Sequence, residues 1–358
     1  MQTRFSRPLL LLVIALLFNA CEKTQKTPGP EPIPEASAPD TRAADAAFWD
    51  SGHQVLASTQ QQAKQLLQNT LDFLQAPSPE QLDQLRSQWQ QVQQHWHNFY
   101  FFSQMGITQA NVFSPLSEYR FLIAAHPIQP GYLDYFGPYP YSGLVHDISV
   151  PLTPETLMNQ HGMTDAEDVA LGIYAIEFMI YGEQQSRPAS DFTAVTQLTA
   201  AQQEQGFRQV QETPNHRRRE LLRLQTEILN RNLAELQTLW QATDATGLRA
   251  KWAQLAPAQQ TAAVKQNLER TLTQLLLEIV AISPVETTNG ATSNHRAAPP
   301  AGALGNRIES LAIAAPWLPE ATSAVLIACL PDAANAAREA ESQESWSLAY
   351  QKLKSCLS

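Results

Sequence analysis

Residues 82–99 read LDQLRSQWQQVQQHWHNF. Apolar side chains fall at Leu82, Leu85, Trp89, Val92, Trp96 and Phe99, in steps of three and four, with glutamines between. That period places one buried stripe on a long helix. It returns at Leu222, Leu229, Leu233, Leu236 and Trp240, and again at Val264, Leu268, Leu272, Leu275 and Ile279. Residues 44–75, 306–315 and 333–356 also read as helices, and strand-like alternation is scarce. Long helices joined by short Pro-marked loops, as at Pro77-Ser78-Pro79 and Pro257, predict an all-α fold of up-down bundles.

Two stretches break the period. Residues 104–163 are rich in Pro, Gly and Tyr, include GYLDYFGPYPYSG at 131–143, and show no amphipathic stripe. A structureless run of that length inside a compact domain is usually functional or packed against helices. The second break, residues 283–305, reads equally well as a site-forming loop or a plain connector.

The start of the chain predicts its compartment. Arg4 and Arg7 precede an apolar run at 9–18, which is too short for the roughly 20 residues of a membrane-spanning helix. The run ends in Leu17-Phe18-Asn19-Ala20-Cys21. A small residue before a cysteine there resembles the lipobox of bacterial lipoproteins, which implies cleavage after residue 20 and a lipid on Cys21. An ordinary cleaved signal with an incidental cysteine is the alternative. Glu22, not Asp, follows the cysteine, which favours the outer membrane. Residues 23–40, KTQKTPGPEPIPEASAPD, cannot bury a core and read as a semi-extended tether.

The expected layout is a signal peptide at 1–20, a lipidated tether at 21–42, and helical bundles at 43–200 and 201–358. The chain carries 24 basic and 34 acidic residues, a net charge of -10. Such a balance gives no general attraction to nucleic acid or anionic lipid, so the membrane is met through the lipid. Besides Cys21 there are only Cys329 and Cys356. Export makes a disulfide between them plausible, with two buried thiols as the alternative.

Thr164-Asp165-Ala166-Glu167 has the form of a capping box before the apolar run DVALGIYAIEFMIYGE at 168–183, and predicts a helix there. With Gly172, Tyr174, Glu177 and Gly182 in GIYAIEFMIYG, this run resembles the imelysin signature, Gly-x-His-x-x-Glu followed by an apolar stretch and Gly. Upstream, IQPGYLDYF and YSGLVHDI within 128–148 are similar to that family's WPLDxxYIDY and SGIIND segments. Residues 286–296, ETTNGATSNHR, loosely match its polar loop. The resemblance implies a helical envelope protein of two similar halves linked to iron uptake; one member has been described as a metallopeptidase. It also implies that the 104–163 segment and the motif helix line a cleft.

The motif histidine is Tyr174 here. Tyr174 and Glu177 share a helix face at i, i+3, but a neutral phenol is a poor substitute for an imidazole ligand. A family glutamate late on the Trp-bearing helix aligns with Tyr100. Glu177 sits among apolar neighbours, so burial forces it to be paired, hydrogen-bonded or protonated; Arg120 is one counter-ion. The remaining metal-ligand set is Glu177, His146 and Asp147, for iron or zinc. His126 and His161 bracket the same irregular region. His95 and His97 point to opposite sides of their helix and read as surface residues, and His216-Arg217-Arg218-Arg219 as a solvated helix face. No HExxH, GxSxG or phosphate-cradling glycine loop occurs. The reading is therefore a non-catalytic binding or accessory lipoprotein in iron acquisition, with envelope iron-transport proteins as partners. A metallopeptidase and a structural lipoprotein with a decayed metal site are the alternatives.

Overall fold

The computed structural model describes residues 41–282 and 301–356, which belong to one compact unit. The leader, Cys21, the tether and the 286–296 loop lie outside the described residues. Thirteen α-helices follow in chain order among the described residues. They are α1 Thr41–Gln75, α2 Pro79–His97, α3 Tyr100–Thr108, α4 Ala110–Ala124, α5 Pro154–Gln160, α6 Ile173–Tyr181 and α7 Ala200–Glu204. Then come α8 Pro214–Gln241, α9 Leu248–Ala253, α10 Pro257–Ile282, α11 Ala301–Glu309, α12 Glu320–Arg338 and α13 Gln343–Ser355. No strand occurs among the described residues, only a bridge between Phe136 and Tyr139. No described helix is long and apolar enough to cross a membrane.

The Leu82–Phe99 stripe is buried as its period requires, and Ser78 caps α2 by accepting from Gln81 N. α1 packs along α2 and α8, and α6 lies against α2 and α8. A second group joins α10 to α3 and α13, and α12 to α11 and α13. Because α8 packs along α1, α4 and α6, contacts cross the expected boundary near residue 200, and the described residues form one unit. An aromatic cluster ties the pieces together, with Phe48 stacked on Trp252 and edge-on to Trp317, and Trp49 against Trp240. Cys329 and Cys356 are joined by a disulfide that links α12 to the end of α13.

Three expectations change. Residues 104–124 are helical, in α3 and α4; they lack a stripe because α3 is buried nearly all round and α4 kinks at Phe113 ahead of Pro115. The irregular segment therefore begins at 125. The motif helix starts at Ile173, not at 168. Asp165 accepts from Glu167 N, and Asp168 from Asp165 N, which folds residues 164–168 into a turn instead of a capping box. Finally, Arg217 and Arg218 are buried rather than solvated.

Candidate functional site

The GIYAIEFMIYG helix is set by its two glycines. Gly172 has φ +92°, and a Cβ there would lie 2.6 Å from the Ile123 carbonyl oxygen. Gly182 ends the helix at φ +68°, where a Cβ would meet Arg187 Cβ at 2.9 Å. Both positions need a residue without a side chain. Neighbouring helices then satisfy the backbone. Trp89 Nε1 donates to Ile173 O at 2.7 Å, Arg86 Nε to Ile180 O at 3.1 Å, and Gln225 Nε2 to Ala170 O at 2.9 Å.

So held, α6 buries Tyr174, whose hydroxyl lies 3.0 Å from His97 Nε2 and 3.1 Å from Arg307 Nη2. Arg307 reaches in from α11 and donates through Nη1 to Glu278 Oε2 at 2.8 Å. Tyr100 lies under its guanidinium, 4.9 Å from Cζ to the ring centroid, and donates to Glu278 Oε1 at 3.4 Å. The two tyrosines that stand where the resemblance expects a histidine and a glutamate thus converge on one arginine. His126, exposed, lies against the Tyr174 ring at 4.7 Å.

His97 corrects an expectation: it is buried, not on the surface, while His95 turns the other way toward Ser58 Oγ. Burial first, then the charge of Arg307 and the nearby His126, push the His97 pKa well below its ordinary value, so the ring is neutral. Its Nε2 faces two donors, Tyr174 O–H and Arg307 Nη2. The proton is therefore on Nδ1, which is buried without an acceptor among the described residues. Arg307 Nε and Arg120 Nε share that condition. Each such buried donor costs about 1–3 kcal/mol unless something answers it.

Glu177 is half-buried, and burial pushes its carboxyl up to about 7. It has no ion pair among the described residues. Arg120, the counter-ion suggested by sequence, instead feels Tyr100 and Arg307. The proposed ligand partners of Glu177 are elsewhere. His146 Nε2 meets Asp134 Oδ1 at 3.2 Å, and Asp147 accepts from Ser149. No group of three or more His, Cys, Asp or Glu among the described residues could hold a metal ion. The set of Glu177, His146 and Asp147 is not brought together, because the loop bearing the last two is held by Arg217 and Arg218 of α8. The described residues do not assemble a metal centre.

A second buried network holds that loop. Asp134, fully buried, pairs with Arg218 Nε at 2.6 Å and Arg187 Nη1 at 2.8 Å. Burial opposes its charge, but hydrogen bonds from His146 and Arg218 and the charges of both arginines win, holding the carboxyl well below the usual range. Arg217 donates to the carbonyls of Leu144, Val145, Asp147 and Val150. His161 is also structural, its ring bonded to Phe121 O and Leu171 N. A separate groove of about 670 Å³ runs past Leu71, Leu152, His216, Arg219 and Arg223. Its cations are engaged: Arg219 donates to Phe192 O, and Arg223 pairs with Glu220 and Glu227.

Sequence reasoning missed His97, Glu278, Arg307 and Asp134. His97 had a local signal, since it lies one turn beyond buried Gln93 beside the Trp96 stripe. Arg307 had a weaker one, as the lone cation in the segment ALGNRIE.

The family model described as Imelysin, whose name classes its members as peptidases, matches residues 52–297. Among solved structures, the chain is similar to an imelysin-like protein from Psychrobacter arcticum 273-4. The identity is 16%, the match covers 88% of this chain and 91% of that one, and the TM-score is 0.49. No curated protein gives a significant sequence match.

Proposed function

Because the chain belongs to the imelysin family, we propose that it is a non-catalytic binding component of the cell envelope, anchored through a lipid on Cys21 and serving metal, chiefly iron, acquisition. The iron element and the envelope location are supported by the family resemblance and the leader, and envelope iron-transport proteins are the partners this reading names.

The observation that carries the non-catalytic part is Arg307. A metallopeptidase needs a metal with an open position and an activated water on it. At the motif positions of this chain a guanidinium bonds Tyr174 and Glu278 and faces neutral His97. A fixed organic cation with its own carboxylate partner repels a divalent ion and competes for Glu278. It organises the same polar groups around charge, but it cannot activate water as a Lewis acid.

The test is metal content, with iron and zinc affinity, of the full chain and of the double variant Tyr174→His, Arg307→Met. Wild type is expected to bind neither ion tightly. The double variant, which restores an imidazole and frees Glu278, is expected to gain affinity. Tight stoichiometric binding by wild type that disappears in Glu177→Ala would overturn the reading and warrant peptidase assays.

A further inference from the structure

The polar centre around Arg307 holds more donors than acceptors. Glu278 is the carboxylate bonded there, and both its oxygens are used: Oε2 by Arg307, Oε1 by Tyr100 and Gln274. Arg307 Nε, Arg120 Nε and His97 Nδ1 are buried without acceptors among the described residues. Arg120 makes no ion pair there either, although it sits close enough to Arg307 for the two like charges to act on each other. Tyr100 feels both guanidinia.

We propose that Arg120 and Arg307, with the His97 and His126 rings and the Tyr174 hydroxyl beside them, form a receptor for a small oxyanion bearing a carboxylate or phosphate group. This rests on the non-catalytic reading above and names the ligand class of the same site.

Two neighbouring guanidinia, of which Arg307 alone is bonded to a carboxylate, leave a positive charge that water answers poorly and an oxyanion answers well. Arginine's planar fork matches carboxylate and phosphate oxygens in pairs of hydrogen bonds. The approach is open: His126 is exposed, Arg120 half-buried, and the Glu278 and Arg307 side chains retain 27% and 12% of their exposure. Tyr174 and His97 form the floor. The contrast with the groove beside α8 is direct, since the arginines there are already matched by carboxylates and carbonyls.

The experiment is calorimetric titration of the full chain with sodium acetate and, separately, inorganic phosphate. It is run in metal-free buffer at fixed ionic strength, with melting temperature as a second readout. Saturable binding of either anion supports the proposal, and which one binds identifies the source chemistry. Arg120→Gln is expected to weaken that binding at least tenfold without lowering the anion-free melting temperature, because Arg120 Nε has no acceptor and the guanidinium no ion pair among the described residues. Arg120→Lys, which keeps the charge but not the fork, should weaken it less; it also serves as the test variant should Arg120→Gln not fold. Arg231→Gln, on an exposed part of α8, should bind as wild type does. No saturable binding by wild type, or binding undiminished by both Arg120 variants, overturns the proposal. Because no metal is present, that failure leaves the non-catalytic reading standing, whereas tight metal binding in the earlier experiment removes that reading on its own.

Discussion

Glu177 and Tyr174 share a face of α6 and meet different fates. Glu177 holds its proton up to about pH 7 because burial disfavours the carboxylate. A folded value raised above the unfolded one, about 4.3, gives a contribution to stability that is complete below that value and lost as pH rises through about 7. Glu177→Gln should therefore stabilise the chain at pH 8, by about 2 kcal/mol after discounting for its partial contact with water. It should do nothing near pH 4. Denaturant melts at the two pH values decide it, and an equal effect at both would exclude the protonation argument. Tyr174 is fixed by its hydroxyl, so Tyr174→Phe leaves Arg307 Nη2 and His97 Nε2 short of a partner and should cost about 1–3 kcal/mol in the same melts. Both residues were legible because their motif is local. Arg307 was not, since its bond to His97 joins positions 210 residues apart and nothing in ALGNRIE says which way the arginine turns.

At the scale of elements, the segment after α4 is held by buried charge more than by its own apolar residues. The stripes at Leu82–Phe99 and Val264–Ile279 could be read directly, because burying one face of a helix imposes a period that sequence records. An irregular segment has no period, and its anchors lie on another element: Arg217 and Arg218 on α8 grip residues 134–150. A basic run on a helix looks the same whether it faces water or carbonyls, which is why this one reads as solvated until the packing is known. Replacing Asp134 with Asn leaves Arg218 without a carboxylate and Arg187 with Asp191 alone, and the loss should be about 3 kcal/mol at neutral pH. The sign with pH follows from the depressed carboxyl. The Asp134 contribution is present above its unfolded value, about 3.9, and is lost as pH falls through the lower folded value. Wild type and Asp134→Asn should thus converge in acid, with cleavage of the variant at neutral pH starting within 128–150 in limited proteolysis. A variant as protease-resistant as wild type there would show that the aromatic contacts suffice.

For the molecule as a whole, the disulfide and the leader bear on one question from opposite ends of the chain. Cys329 and Cys356 are 27 residues apart, and closing that loop removes unfolded-state entropy worth about 3.5 kcal/mol in the chain-entropy model. The double replacement of both cysteines by Ser should cost about that much, with a loss under about 1 kcal/mol ruling out a stabilising cross-link. Such a bond persists only where thiols are not kept reduced, which agrees with an exported chain. On the proposed reading export and anchoring are separable, because the apolar run at 9–18 would serve the first and Cys21 the second. A single acyl chain gives only marginal membrane attachment, and stable anchoring takes two. On that reading Cys21 would carry a diacyl group, since a net charge of -10 gives no general attraction to anionic lipid. Cys21→Ser should then leave the Cys329–Cys356 bond formed, as read by thiol alkylation, while moving the protein from the membrane pellet to the soluble or unprocessed fraction. If Cys21→Ser still fractionates with membranes after the leader is removed, something other than the lipid holds it there, and the tether at 23–40 does not have the role assigned to it.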